Sequence, residues 1–182
     1  MARHVVLLRG VNLVRTNRIA MVELRAALDS AGFHDVKTYV QSGNVVLTSK
    51  ASPERVAADV HALIKERFGF DIAVVVRSAD ELARVVRRNP LGAVAVDPKH
   101  YLVTFLSGEL PVAVIERLRS AAAPQERLAV HGCEIYSWHP VGVGRSPLWE
   151  RIAARSLGVV ATSRNWATVT TLLAMAEESA DR

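Results

Sequence analysis

The sequence predicts an α+β chain of two similar halves, each an antiparallel sheet covered by helices, with one helix added at the C-terminus. Three observations predict it. Short β-branched runs and stretches of helical period follow one another in the order β-α-β-β-α-β from His4 to Val76. The same order begins again at Tyr101. Between them, Pro90–Lys99 holds two prolines, a glycine and no amphipathic period, which marks a boundary.

His4 to Arg9 is an apolar run stopped by Gly10 and reads as a strand. Met21, Leu24, Ala27, Leu28 and Ala31 recur at helical spacing, with Gly32 as the stop. Val36 to Val40 and Val45 to Thr48 are β-rich, and Gln41-Ser42-Gly43-Asn44 turns between them, with Gly43 free to take a positive φ. Ser52 caps the next helix with Pro53 at its first position, and Val56, Val60, Leu63 and Ile64 form its buried stripe. Ile72 to Val76 closes the set. The order is that of a ferredoxin-like α/β plait. Ser78-Ala79-Asp80-Glu81 is a capping box that starts a linking helix, ended by Asn89-Pro90. The first domain is therefore residues 1–90.

The second domain, residues 100–182, is plait-like. Tyr101 to Leu106 is a strand, and Val114, Leu118 and Ala122 lie on one helix face. Arg127–Val130 and Glu134–Trp138 pair around His131-Gly132-Cys133, and Ser146-Pro147 starts another helix. Val159–Ala161 is expected as a short strand, with Thr162 or Ser163 capping the added final helix.

Composition limits the function classes. Half of the 182 residues are hydrophobic and 23% are charged, which is a globular balance. No apolar run nears the ~20 residues of a membrane span, and Met1–His4 leads straight into a strand, so neither membrane nor signal peptide is expected. Cys133 is the only cysteine, which excludes an internal disulfide and suggests the cytoplasm. The net charge of +5 permits an anionic small molecule or nucleic acid as partner. All but four of the 23 basic residues are arginine, and no basic run exceeds Arg87-Arg88, so a solvated basic surface explains the charge better than a dedicated nucleic-acid face.

Plait topology locates the candidate site. The first two strands are parallel, joined by a right-handed crossover, and the third lies antiparallel between them. The exit of the first strand and the first hairpin therefore emerge at one end of the sheet. Arg9, Gly10 and Asn12 are expected beside Gln41, Ser42, Gly43 and Asn44, with Arg15, Asn17 and Arg18 in the loop before the first helix. Backbone N–H groups, guanidinium forks and amides together suit a phosphate or carboxylate. Turn geometry alone explains Asn12, Gly43 and Asn44 as well.

Other chemistry finds no footing. The chain has neither Gly-x-x-x-x-Gly-Lys-Ser/Thr nor Gly-x-Gly-x-x-Gly, and no Gly-x-Ser-x-Gly elbow. His131, Cys133 and His139 lack the paired spacing of a zinc site, so no metal and no cofactor are expected. Gly142-Val143-Gly144-Arg145-Ser146 before a helix is a weak phosphate-loop candidate. An RNA-recognition sheet needs stacking aromatics, and HVVLLR and NVVLTS contain none.

The segments Leu7–Asn12, Met21–Arg25, Thr38–Val46 and Thr162–Val169 together resemble the bacterial family known as domain of unknown function 1697. The resemblance implies two plait-like halves and carries no established activity. It also marks Arg164 and Asn165, at an expected anion-friendly helix start, as candidate ligand residues. The family pattern has a glycine-rich, lysine-containing loop after Arg-Gly-x-Asn. Here that loop is Leu13-Val14-Arg15-Thr16-Asn17-Arg18, which weakens a phosphate cradle. The expectation is a binding protein for an anionic ligand; the alternatives are a protein-interaction module and an enzyme on a small anionic substrate.

Overall fold

In the computed structural model, which describes residues 1–13 and 17–178, the apolar run after Met1 forms β1 (Ala2–Leu8). There follow α1 (Met21–Ser30), β2 (His34–Tyr39), β3 (Asn44–Ser49), α2 (Pro53–Phe68), β4 (Val74–Ser78) and α3 (Ala79–Arg88). The next elements are β5 (Tyr101–Leu106), α4 (Val112–Ala121), β6 (Arg127–His131), β7 (Glu134–Trp138), α5 (Pro147–Ala153), β8 (Ala161–Asn165) and α6 (Trp166–Glu177). Among the described residues the strands make two four-stranded antiparallel sheets, ordered β2-β3-β1-β4 and β6-β7-β5-β8. Both orders are the plait order, so each half closes as expected.

The two central strands explain the packing. Val6 and Leu8 of β1 join Val45 and Leu47 of β3 on the face covered by α1 and α2, against Leu24, Leu28, Val56, Val60 and Ile64. On the other face Val5, Leu7, Val46 and Val75 are buried as well. A strand buried on both faces reads as a continuous apolar run rather than an alternating one. In the second sheet Leu106 and Ile135 meet Leu118 of α4 and Leu148 and Ile152 of α5. Tyr101, Val103, Phe105 and Tyr136 on the opposite face are no more than 1% exposed.

The chain forms two compact units, Met1–Arg84 with Thr171–Arg182, and Val85–Thr170. The end of α6 is tied into the first unit by Glu178, whose carbonyl accepts from Arg3 Nη2 (2.8 Å) and whose carboxylate pairs with Lys37 Nζ (2.8 Å).

Local signals set most element ends. The Ser52 hydroxyl accepts from Arg55 N (3.3 Å) at the start of α2, and Gly69 closes that helix with φ 74°. The capping box is made in both directions: Ser78 N donates to Glu81 Oε2 (2.7 Å) and Glu81 N to Ser78 Oγ (3.2 Å). Several strand ends shift from expectation, most at β4 and β8. Ile72 lies before β4, where it is buried and its carbonyl meets His61 Nδ1 at 2.8 Å. The last strand runs on through Thr162 and Ser163, because β8 pairs with β5 up to Asn165 and the Ser163 and Thr104 hydroxyls meet at 2.7 Å. Asn165, rather than Thr162 or Ser163, caps α6: its Oδ1 accepts from Thr168 N (2.9 Å).

Gly43 shows why one turn residue cannot vary. Its φ is +74°, and a Cβ there would lie 2.7 Å from Leu8 Cβ. Gly10 has a similar φ of +67° with nothing within 4 Å. Gly10→Ala should lose roughly 1–2 kcal/mol from the left-handed backbone alone. Gly43→Ala should lose clearly more, by urea denaturation; equal losses would refute the close approach to β1.

Candidate functional site

The edge expected from topology is assembled through amide side chains. Leu8 N donates to Gly43 O (2.9 Å), which sets the hairpin against the exit of β1. Asn12 sits in the left-handed region (φ 56°). Its Oδ1 accepts from Ile19 N (2.9 Å), and its Nδ2 donates to Ile19 O (2.9 Å) and Gln41 O (2.7 Å). One side chain therefore joins three segments: the exit of β1, the residues before α1, and the hairpin. Asn17 (φ 50°) adds a second tie, from Nδ2 to Gly10 O at 3.3 Å. Asn44 is fully buried and donates to Tyr39 O (3.2 Å) and Ser42 Oγ (3.0 Å). Asn12, Gly43 and Asn44 thus hold the turns.

Three residues at this edge keep side-chain capacity. Among the described residues, the Arg9 and Arg18 guanidiniums and the exposed Gln41 amide have no hydrogen bond or ion pair. Ala20 at the start of α1 supplies no side-chain cap, so the first-turn N–H groups remain available. Val40 takes φ 49°, a strained conformation for a β-branched residue, and is 52% exposed. Arg15 lies outside the described residues.

Arg164 and Asn165 belong to the other unit. They do not form the expected open helix start. Arg164 lies on β8, where its Nη1 donates to Thr162 Oγ1 (2.9 Å) and Ser163 O (2.8 Å), and burial lowers its pKa to about 10. The residue as a whole is half-buried. Asn165 is occupied as the helix cap.

Sequence reading missed a buried polar cluster in the second unit. Glu126, Ser137, His139 and Ser146 are each at most 5% exposed. His139 Nδ1 lies 3.1 Å from Glu126 Oε1 and 2.8 Å from Ser146 Oγ, and its Nε2 lies 2.8 Å from Ser137 Oγ. Ser146 also donates to Glu126 Oε1, accepts from Trp149 N (2.8 Å) and so caps α5; Glu126 Oε2 accepts from Ala123 N (2.9 Å). The network assigns the proton to Nδ1, since Nε2 is then free to accept from Ser137. Burial holds His139 below its ordinary value of 6.5. Burial pushes Glu126 up, but the donors Ser146, Ala123 and His139 outweigh it, and its pKa ends below 4.5.

The residue types are those of a hydrolase triad, and the geometry is not. Acid and serine share Nδ1, and all the groups are shut from solvent, so no hydroxyl is presented to a substrate. Among the described residues no cluster could hold a metal ion, and no helix is long and apolar enough to cross a membrane. Cys133 is half-buried. The sheet faces give no stacking platform: β1 and β3 are buried on both faces, and in the second sheet Tyr101 is already stacked on Trp166 at 4.7 Å.

Acid should unfold the chain in two stages. Below about pH 6.5 the unfolded chain takes up protons at His139 and at His4, also lowered by burial, that the folded chain resists. Below about pH 4.5 Glu126 adds to the loss in the same direction. Glu126→Ala should cost about 3 kcal/mol at pH 7, because Ser146, His139 and Ala123 N–H lose their acceptor. Denaturation across pH checks both, and a pH-independent stability from 7 to 4 would contradict them.

The comparisons agree with this fold. The chain is similar to the solved structure of a conserved bacterial protein from Streptococcus pneumoniae, at 22% identity and a TM-score of 0.79, over 97% of this chain and 99% of that one. No curated protein is detectably similar. The family model described as a protein of unknown function, DUF1697, matches residues 1–136. That match covers Arg9–Asn12, the hairpin, the whole first sheet and β5, and the chain belongs to the DUF1697 family.

Proposed function

We propose that the chain is a binding protein for a small anionic ligand or nucleic acid, held at the edge where β1 exits beside the first hairpin and the start of α1. The observation that carries this reading is the Asn12 side chain, which draws the three segments together while Arg9 and Arg18 keep unpaired guanidiniums. The uncapped start of α1 adds N–H donors and the positive end of a helix dipole. The net charge of +5 favours the approach of an anion. The single cysteine suits a reducing compartment, and the cytoplasm is the proposed location.

A second reading, a protein-interaction module, rests on exposed apolar side chains in the same segments. Leu13 is 60%, Val22 67% and Val40 52% exposed. An interaction surface combines such groups with arginine.

Titration of a labelled single-stranded oligonucleotide at low salt, with thermal shift by nucleotides and inorganic phosphate alongside, tests the first reading. Binding should weaken as salt rises. Arg9→Ala with Arg18→Ala should reduce affinity roughly a hundredfold or more without lowering Tm, each charged contact being worth about 1.5–3 kcal/mol. No binding by any of these anions, or binding indifferent to the double variant, would sink it. Concentration-dependent light scattering that Val40→Asp abolishes would favour the second reading instead.

A further inference from the structure

The two units are built alike, and in each a groove runs between the two helices that cover the sheet. In the first unit it lies between α1 and α2, with a volume of about 820 Å³, and its lining includes the carboxylates of Asp59 and Glu66 beside Arg67. In the second it lies between α4 and α5, reaches the 3-10 turn Arg155–Leu157, and has a volume of about 720 Å³. Both volumes fall within the roughly 300–1,000 Å³ of small-molecule sites.

The second groove differs in charge. Leu118 and Leu157, 2% and 4% exposed, form an apolar base, with Val114 and Ala121 beside them. Arg117 and Arg151 also line it, and among the described residues neither guanidinium has a hydrogen bond or ion pair. The one carboxylate of the lining, Glu116, is already paired with Arg119 at 2.7 Å. An apolar floor alone would suit any hydrophobe, and two free guanidiniums alone would suit any anion. Their combination in one groove selects a ligand that is both.

We propose that the α4–α5 groove binds an amphipathic anion, an aliphatic chain ending in a carboxylate or phosphate. The chain lies on Leu118 and Leu157, and the headgroup is held by Arg117 and Arg151. The α1–α2 groove serves as an internal control: Asp59 there is paired with Arg55 (2.9 Å) and Glu66 stands beside Arg67, so its lining carries no excess of positive charge for the same headgroup.

Calorimetric titration of the full chain with decanoate and with decyl phosphate tests this, with amide shifts in NMR spectra to locate the ligand. Saturable binding of either below its self-association concentration, with shifts at Leu118, Ser156 and Leu157, is expected, and the tighter of the two names the headgroup. Arg117→Gln with Arg151→Gln should weaken binding at least tenfold, and decanol should bind at least tenfold more weakly than the preferred anion. Both arginines are exposed, so the double variant should keep its Tm. Absence of saturable binding, affinity unchanged in the double variant, decanol binding as tightly as the anion, or shifts confined to the α1–α2 groove would each overturn the proposal. The variants at Arg9 and Arg18 leave this groove intact, so failure there and failure here are separate results.

Discussion

β1 and β5 run through the middle of their sheets with both faces out of water, and the rest of the architecture follows from that burial. Each is hydrogen-bonded on both edges by antiparallel neighbours. An unpaired polar side chain on such a strand costs a few kcal/mol, so polar groups there must be paired, neutral or absent. Thr104 is fully buried and answers with the Ser163 hydroxyl on the next strand. His4 is 1% exposed, and burial drives its pKa down, so it lies in the core as a neutral ring. Everything else that is polar and useful is displaced to strand ends, loops and helix grooves.

At the strand ends the amides act as staples. Asn12 satisfies both main-chain groups of Ile19 and the carbonyl of Gln41, which replaces regular pairing where β1 has left the sheet. Gly43 is required by its φ and by the Leu8 side chain beside it. These residues account for much of the Arg-Gly-x-Asn and Gln-Ser-Gly-Asn motifs by geometry alone. Arg9 and Arg18 have no such account among the described residues, and the proposed binding edge rests on their charge.

The Glu126–His139–Ser146 cluster makes the converse point. Its members carry catalytic chemistry elsewhere, but here each polar side chain has a hydrogen-bond partner within the cluster and each is at most 5% exposed. A fully satisfied buried network fixes one packing of the loops around α5. The chemically plainer Arg117 and Arg151, exposed over an apolar floor and unpaired among the described residues, have more freedom to meet a ligand.

Much of the fold was legible because it is written locally. The two apolar runs HVVLLR and NVVLTS, the Ser52-Pro53 and Ser146-Pro147 starts and the Ser78–Glu81 box each depend on neighbours within a few residues. So did the meeting of Arg9–Asn12 with Gln41–Asn44, since plait topology leaves one end of the sheet where they can emerge. The end of β8 was not legible, because Thr162 and Ser163 suit a cap or a strand and only pairing with β5 chooses between them. Nor was the cluster of Glu126 with His139 and Ser146, twenty residues away from Glu126 with no periodic link. The sequence by itself determined the elements, their order and the edge where the polar loops collect, because period and turn chemistry are local. Only the tertiary structure decided which polar side chains are consumed and which stay free, because that depends on partners brought close from distant parts of the chain.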